Sequence, residues 1–291
     1  MRASILKKFC QTGIPQYSIY GIICIFTVMS GMQAAGEGKT KPITDGRCDE
    51  PGMRFLPLGI RGLGFLAYKR SLLLLIGYGF TATLTIFYGL VEKQSLFVTF
   101  VCFHLVVCMC IPVLHGWWEG SLQESWQFAW GQMEHRGVLF GVTSGIVLFL
   151  GASIGIWVLL RTEGRTETVR QVLELWGLNS RWIWWFSLYL VVVNSLLEEL
   201  FWRGFVLQRF LVVMSRVVGI LLSSFFYCLY HLVVLTVLFG FRWGCLMTLL
   251  VFGVGCFWGW MKGRFPSAYP TWFSHLLADL GLVIPVLWWI F

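Results

Sequence analysis

The run Val191-Val-Val-Asn-Ser-Leu-Leu-Glu-Glu-Leu-Phe-Trp-Arg-Gly204 sets two glutamates and an arginine inside one of the most apolar stretches of the chain. An ionised side chain at the centre of a bilayer costs roughly 2.5–3.5 kcal/mol on insertion scales, so such groups face a protein interior and mark function. On a helix, Glu199 and Arg203 stand four residues apart with the acid first. That is the favourable order for an intrahelical ion pair, and Arg203 can neutralise Glu199. Glu198 lies about 100° around the helix from Glu199 and cannot share that partner. It is the carboxylate free to accept a proton or hold a water, and Asn194, four residues before it, is another polar residue in the same run.

The rest of the chain fits a membrane. Hydrophobic residues make up 57% and charged residues 12%, with a mean hydropathy of +0.75, where soluble domains carry about 25% charged residues. Windows long enough to cross about 30 Å of hydrocarbon run over 71–91, 95–115, 137–160, from Trp182 through the glutamates, 217–239, 244–261 and 271–291. They predict an all-α fold, a polytopic transmembrane helix bundle of about seven or eight spans. The eighth is the N-terminal segment 1–35, where Arg2, Lys7 and Lys8 precede an apolar core and Ala34-Ala35. It reads as either a signal peptide or an uncleaved first transmembrane helix. Residues 36–70, with mixed charge, Gly and Pro, read as a polar linker, 71–181 as N-terminal transmembrane helices and 182–291 as a C-terminal helix bundle.

The net charge of +8 does not point to nucleic acid, because the bases form no stripe with interleaved aromatics and lie at span ends instead. Arg54, Arg61, Lys69 and Arg70, then Arg203, Arg209 and Arg216, then Lys262 and Arg264 fall on one side if the spans alternate. The positive-inside rule makes that side cytoplasmic and puts the C-terminus outside, in a multi-pass protein of the plasma or inner membrane. Tryptophans at 117–118, 182, 184–185 and 288–289 fit an interfacial belt. The nine cysteines include no CxxC pair and read as small buried hydrophobes.

Two later windows carry further polar residues, His231 in Phe225-Phe-Tyr-Cys-Leu-Tyr-His231 and the pair His275 and Asp279. His275 and Asp279 share a helix face, so the carboxylate can accept a hydrogen bond from one ring nitrogen and fix the direction of the other. His104 and His115, without an acidic neighbour at helical spacing, are read as helix-to-helix hydrogen-bonders rather than catalysts. A carboxylate and two imidazoles on three helices suit water activation in either of two ways. Glu198 can act as general base with the histidines stabilising an oxyanion, or Glu198, His231 and His275 can hold a zinc that acidifies its bound water.

The pattern Glu198-Glu199-x-x-x-Arg203, then aromatic-x-x-x-His231, then His275-x-x-x-Asp279 closely resembles the three motifs of the CPBP intramembrane proteases, which include the CAAX prenyl endopeptidases and bacteriocin-processing or immunity proteins. The resemblance runs from about Trp182 to the C-terminus. It implies an intramembrane endopeptidase acting on membrane-anchored proteins or peptides at the bilayer. It further implies Glu198, His231 and His275 as the catalytic set, with Glu199 and Arg203 as a supporting pair, and it leaves zinc dependence and prenylation of the substrate open. Two positions depart from the family pattern: Tyr227 stands where Phe is usual, and Asp279 where Asn is usual. Rival readings are a proton-coupled transporter with the same residues as a relay, and a catalytically silent immunity or scaffold protein. Cleavage lost with Glu198 separates the protease from both.

Overall fold

The structure is a computed structural model that describes the backbone of residues 65–162 and 164–291 and the side chains of 71–161 and 164–291. The N-terminal segment expected as signal peptide or first span, and the linker as far as residue 64, lie outside the described residues. Among the described residues the chain is all helical, as expected. Helix α1 (Phe65–Phe87) continues through a wide π-helical turn, Tyr88–Glu92, so the first helix starts before the expected boundary at residue 70. It is followed by α2 (Leu96–Trp118), a short α3 (Leu122–Trp130), α4 (His135–Thr162), a short α5 (Thr166–Leu175), α6 (183–213), α7 (Arg216–Arg264) and α8 (Ala268–Trp289).

Five of these, α1, α2, α4, α7 and α8, are long and apolar enough to cross a membrane. The 49-residue α7 is two helical limbs. Gly240 has φ 79° and ψ 167°, a conformation that glycine reaches without strain, and the chain reverses there. Gly244 then lies against Thr236, Gly255 against Ser224 and Tyr227, and Gly259 against Ile220, so 216–239 and 241–264 pack antiparallel. The expected windows 217–239 and 244–261 are the two sides of this hairpin.

Small residues also set α4 against α8. A methyl group on Gly141 would collide with the Pro270 carbonyl, Ser144 Oγ donates to Ser274 Oγ at 3.2 Å, and Ser153 Oγ donates to the Gly281 carbonyl at 3.0 Å. Such contacts let two backbones approach closely where lipid offers no hydrophobic drive to associate. Serines cap the starts of α2 and α8: Ser95 accepts from Val98 N and Ser267 from Tyr269 N.

Helix α6 runs through the centre, with every residue from Phe201 to Phe210 buried. Over that stretch the helix is enclosed all round and has no lipid face, so Arg203 and Arg209 sit inside the protein. Its C-terminal end meets the end of α2, where Arg209 Nη2 donates to Glu119 Oε2 at 2.7 Å, and Lys262, near the end of α7, donates from Nζ to the Phe128 and Ala129 carbonyls of α3 at 3.0 and 2.8 Å. Arg209 and Lys262 thus fall at one end of the bundle as expected. Arg203, expected with them, lies in the core beside Glu199 instead.

Candidate active site

Helix α6 widens into π-helical turns at Tyr189–Asn194 and Leu200–Val206, on either side of the α-helical turn Ser195–Glu199 that carries both glutamates. Such wide turns break the regular phase of the side chains and occur often at functional sites. Glu198 and Glu199 are both buried. Arg203 Nη1 donates to Glu199 Oε1 at 2.9 Å, the pair read from the sequence. The guanidinium also lies over the rings of Tyr227 and Trp258, at 4.4 and 5.1 Å, and donates to the Gly255 carbonyl. Those aromatic faces and that carbonyl hold the arginine in an otherwise apolar interior.

His275, from α8, meets the same carboxylate. Its Nδ1 donates to Glu199 Oε1 at 2.9 Å, and its ring stacks on Trp258 with centroids 4.2 Å apart. The opposite nitrogen, Nε2, therefore turns toward Glu198 Oε2 at 3.8 Å, Asp279 Oδ1 at 3.5 Å and the Tyr227 hydroxyl at 3.5 Å. This corrects the expectation that Asp279 orients the ring. Glu199 does so, 76 residues away in sequence. Asp279, one turn along the same helix, lies beside Nε2 at ion-pair distance rather than at the 2.7–3.2 Å of a formed N–H···O bond.

His231 donates from Nδ1 to the Tyr227 carbonyl at 2.8 Å and is only half-buried. Tyr227 links the two imidazoles, since its carbonyl holds one and its hydroxyl approaches the other. Each histidine commits Nδ1 to a fixed protein acceptor, which leaves both Nε2 atoms for other partners. Glu198 Oε2, buried, makes no hydrogen bond to any protein group.

Asn194 belongs to a second layer. Its Oδ1 accepts from His104 Nε2 at 2.9 Å, its Nδ2 donates to Asp279 Oδ2 at 3.4 Å, and His104 Nδ1 accepts from the Tyr189 hydroxyl at 2.7 Å. His104 is read from the sequence as a helix-to-helix hydrogen-bonder, and it bonds across to Asn194 and Tyr189. It buttresses Asp279 through Asn194, and its own helix carries no acidic neighbour that would have flagged it.

His115 departs from its expectation, for Glu119 stands four residues on, with His115 Nε2 to Glu119 Oε1 at 2.8 Å. Arg209 Nε and Nη2, at 3.1 and 2.7 Å, and Ser121 Oγ, at 3.0 Å, close on Oε2, while the Tyr78 hydroxyl reaches His115 Nδ1 at 3.0 Å. Burial pushes the Glu119 carboxyl up, but the His115 and Arg209 contacts outweigh it and hold the group down at about 2.

The zinc alternative does not fit the side chains as they stand. Among the described residues no group of three or more His, Cys, Asp or Glu is arranged to hold a metal ion. What the arrangement can do is protonic: a buried carboxylate oxygen without a partner faces an imidazole whose direction is fixed.

Residues 180–281 match the family model described as type II CAAX prenyl endopeptidase Rce1-like, which takes in all three motifs and agrees with the expected start near Trp182. Comparison with curated proteins and with solved structures yields no match for this chain.

Proposed function

We propose, from the match of residues 180–281 to the Rce1-like family model, that this chain is an intramembrane endopeptidase of the CPBP type that hydrolyses peptide bonds of membrane-anchored proteins or peptides. On this reading seven helical segments of the described residues cross the membrane, α1, α2, α4, α6, both limbs of α7, and α8. The end that carries Arg209 and Lys262 faces the cytoplasm on this reading. Glu198 lies eleven residues before Arg209, roughly 16 Å along the helix. Chemistry at that depth needs a bundle interior open to water on one side.

The observation that carries the reading is the partner-free Oε2 of Glu198 beside the oriented Nε2 of His275. Glu198 takes a proton from water, whose oxygen attacks the scissile carbonyl carbon. His275, carrying both ring protons between Glu199 and Asp279, polarises that carbonyl from Nε2, and His231 contributes the second imidazole. Glu199 keeps His275 directed, and Arg203 keeps Glu199 ionised. Asp279, Asn194 and His104 brace the far side of His275.

The test is cleavage of a membrane-tethered peptide library by the purified protein, with prenylated and unprenylated members, against Glu198→Gln. Cleavage by the native protein that the variant loses supports the reading. Equal signals, or none from the native protein, contradict it. Preference for the prenylated members assigns the substrate class.

A further inference from the structure

Besides the Oε2 atoms of Glu198 and Glu199, the site holds a third buried oxygen that makes no hydrogen bond, and it has no role in the steps above. Tyr230 is 3% exposed, and its hydroxyl, like Glu198 Oε2, lies outside hydrogen-bond geometry with every protein group. The hydroxyl stands beside the Glu198 carboxyl, near enough to interact with it but outside the geometry of a formed hydrogen bond. Two orphaned buried polar atoms side by side, one able to donate and the other only to accept, are what a single intervening oxygen would satisfy. The ring cannot swing away to another acceptor. It stacks on Trp202 with centroids 6.0 Å apart and packs against Phe103 at 5.0 Å, Tyr227 at 5.7 Å and His231 at 4.3 Å. Burying an unpaired hydroxyl is unfavourable, and phenylalanine would supply the same ring without that penalty. A tyrosine held this firmly against a carboxylate oxygen left open is placed to share a ligand oxygen with it.

We propose that Tyr230 is a further catalytic residue of this chain, holding jointly with Glu198 the water that attacks the peptide carbonyl. The proposal rests on the proteolytic reading above. Tyr230 O–H donates to the water oxygen, and one water O–H donates to Glu198. On attack that O–H bond breaks and its proton passes to Glu198. The water oxygen forms the new C–O bond, and the carbonyl π pair moves onto its oxygen. When the C–N bond breaks, Glu198 returns the proton to the leaving nitrogen. Tyr230 keeps its own proton throughout and fixes the direction of the attacking lone pair.

Tyr230→Phe tests this, since it removes one oxygen and leaves the packing. With a cleaved tethered peptide, kcat should fall about 10²-fold, within the range for a positioned acid–base group. KM should stay within about twofold, because the interaction matures after the substrate binds, and the melting temperature in detergent should equal or exceed the native value. A native-like kcat, or a lowered melting temperature with unchanged kcat per folded molecule, overturns the proposal. A second measurement is independent of turnover. In pH-difference infrared spectra of the purified protein, the carboxyl band that disappears in Glu198→Gln should move in Tyr230→Phe. A band that stays in place overturns the shared oxygen. A moved band in a native protein that cleaves nothing contradicts the proteolytic reading and leaves the shared oxygen standing.

Discussion

Two clusters in this bundle are assembled from glutamate, histidine and arginine, each drawing its arginine from α6, and they end in opposite states. In the cluster at the basic end, Glu119 Oε1 takes His115 while Oε2 takes Arg209 and Ser121, so both oxygens are matched. In the cluster at the middle of α6, Glu199 Oε1 receives both Arg203 and His275, while Glu199 Oε2 and Glu198 Oε2 receive no hydrogen bond, and of the two glutamates only Glu198 has neither oxygen bonded to an arginine or a histidine. A closed network ties helices together, and a buried network with an open atom costs stability and persists where that atom has work to do. Residue types alone do not separate a staple from a site. The distribution of partners does.

The comparison can be broken most sharply at Glu199. Glu199→Gln removes the charge that serves both Arg203 and His275, leaving a buried guanidinium without its partner, and should lower unfolding stability by about 3–5 kcal/mol. Chemical denaturation in detergent against Glu198→Gln measures it. Comparable stability in the two variants would mean that the glutamates are interchangeable and the assignment of roles fails.

A smaller effect is expected at the closed network. Glu119→Gln should cost about 1–3 kcal/mol, the range for leaving a partly buried partner unmatched, and should leave cleavage per folded molecule near the native level. The sign of its pH dependence follows from the depressed carboxyl. With its value held at about 2 in the folded state, against an ordinary 4.5, the stabilising contribution is complete above about 4.5. It is lost as pH falls toward about 2. Melting temperatures across that window should drop more steeply for the native protein than for Glu119→Gln, and parallel curves would contradict the pairing.

The smallest effect is expected at Asp279→Asn. Because Glu199 orients His275, an amide at position 279, whose oxygen can still accept, should keep cleavage within about tenfold of native, under 1.4 kcal/mol in the barrier. A variant as inactive as Glu198→Gln would make Asp279 an acid, base or ligand in its own right.

Much of this was legible along the chain, and the remainder was not for a definite reason. Contacts within one helix leave a spacing, so Glu199 with Arg203 could be read at four residues. His115 with Glu119 stands at the same spacing and was passed over because Glu119 falls beyond the apolar window that ends at His115. Contacts between helices leave none. Glu199 with His275, His104 with Asn194 and Tyr230 beside Glu198 each join separate helices and depend on how those helices pack. The helical class followed from composition, whereas the union of two expected spans into one hairpin turned on the single backbone angle at Gly240.

The most direct test of the central claim, that the open carboxylate is the catalytic one and the closed carboxylate a staple, is cleavage of one tethered peptide by native protein, Glu198→Gln and Glu119→Gln in parallel, each normalised to its folded fraction. The account predicts that Glu198→Gln loses about 10²–10⁴-fold, the contribution of a general base, with a near-native melting temperature, while Glu119→Gln melts earlier and cleaves at close to the native rate. Loss of cleavage in Glu119→Gln with retention in Glu198→Gln would contradict it.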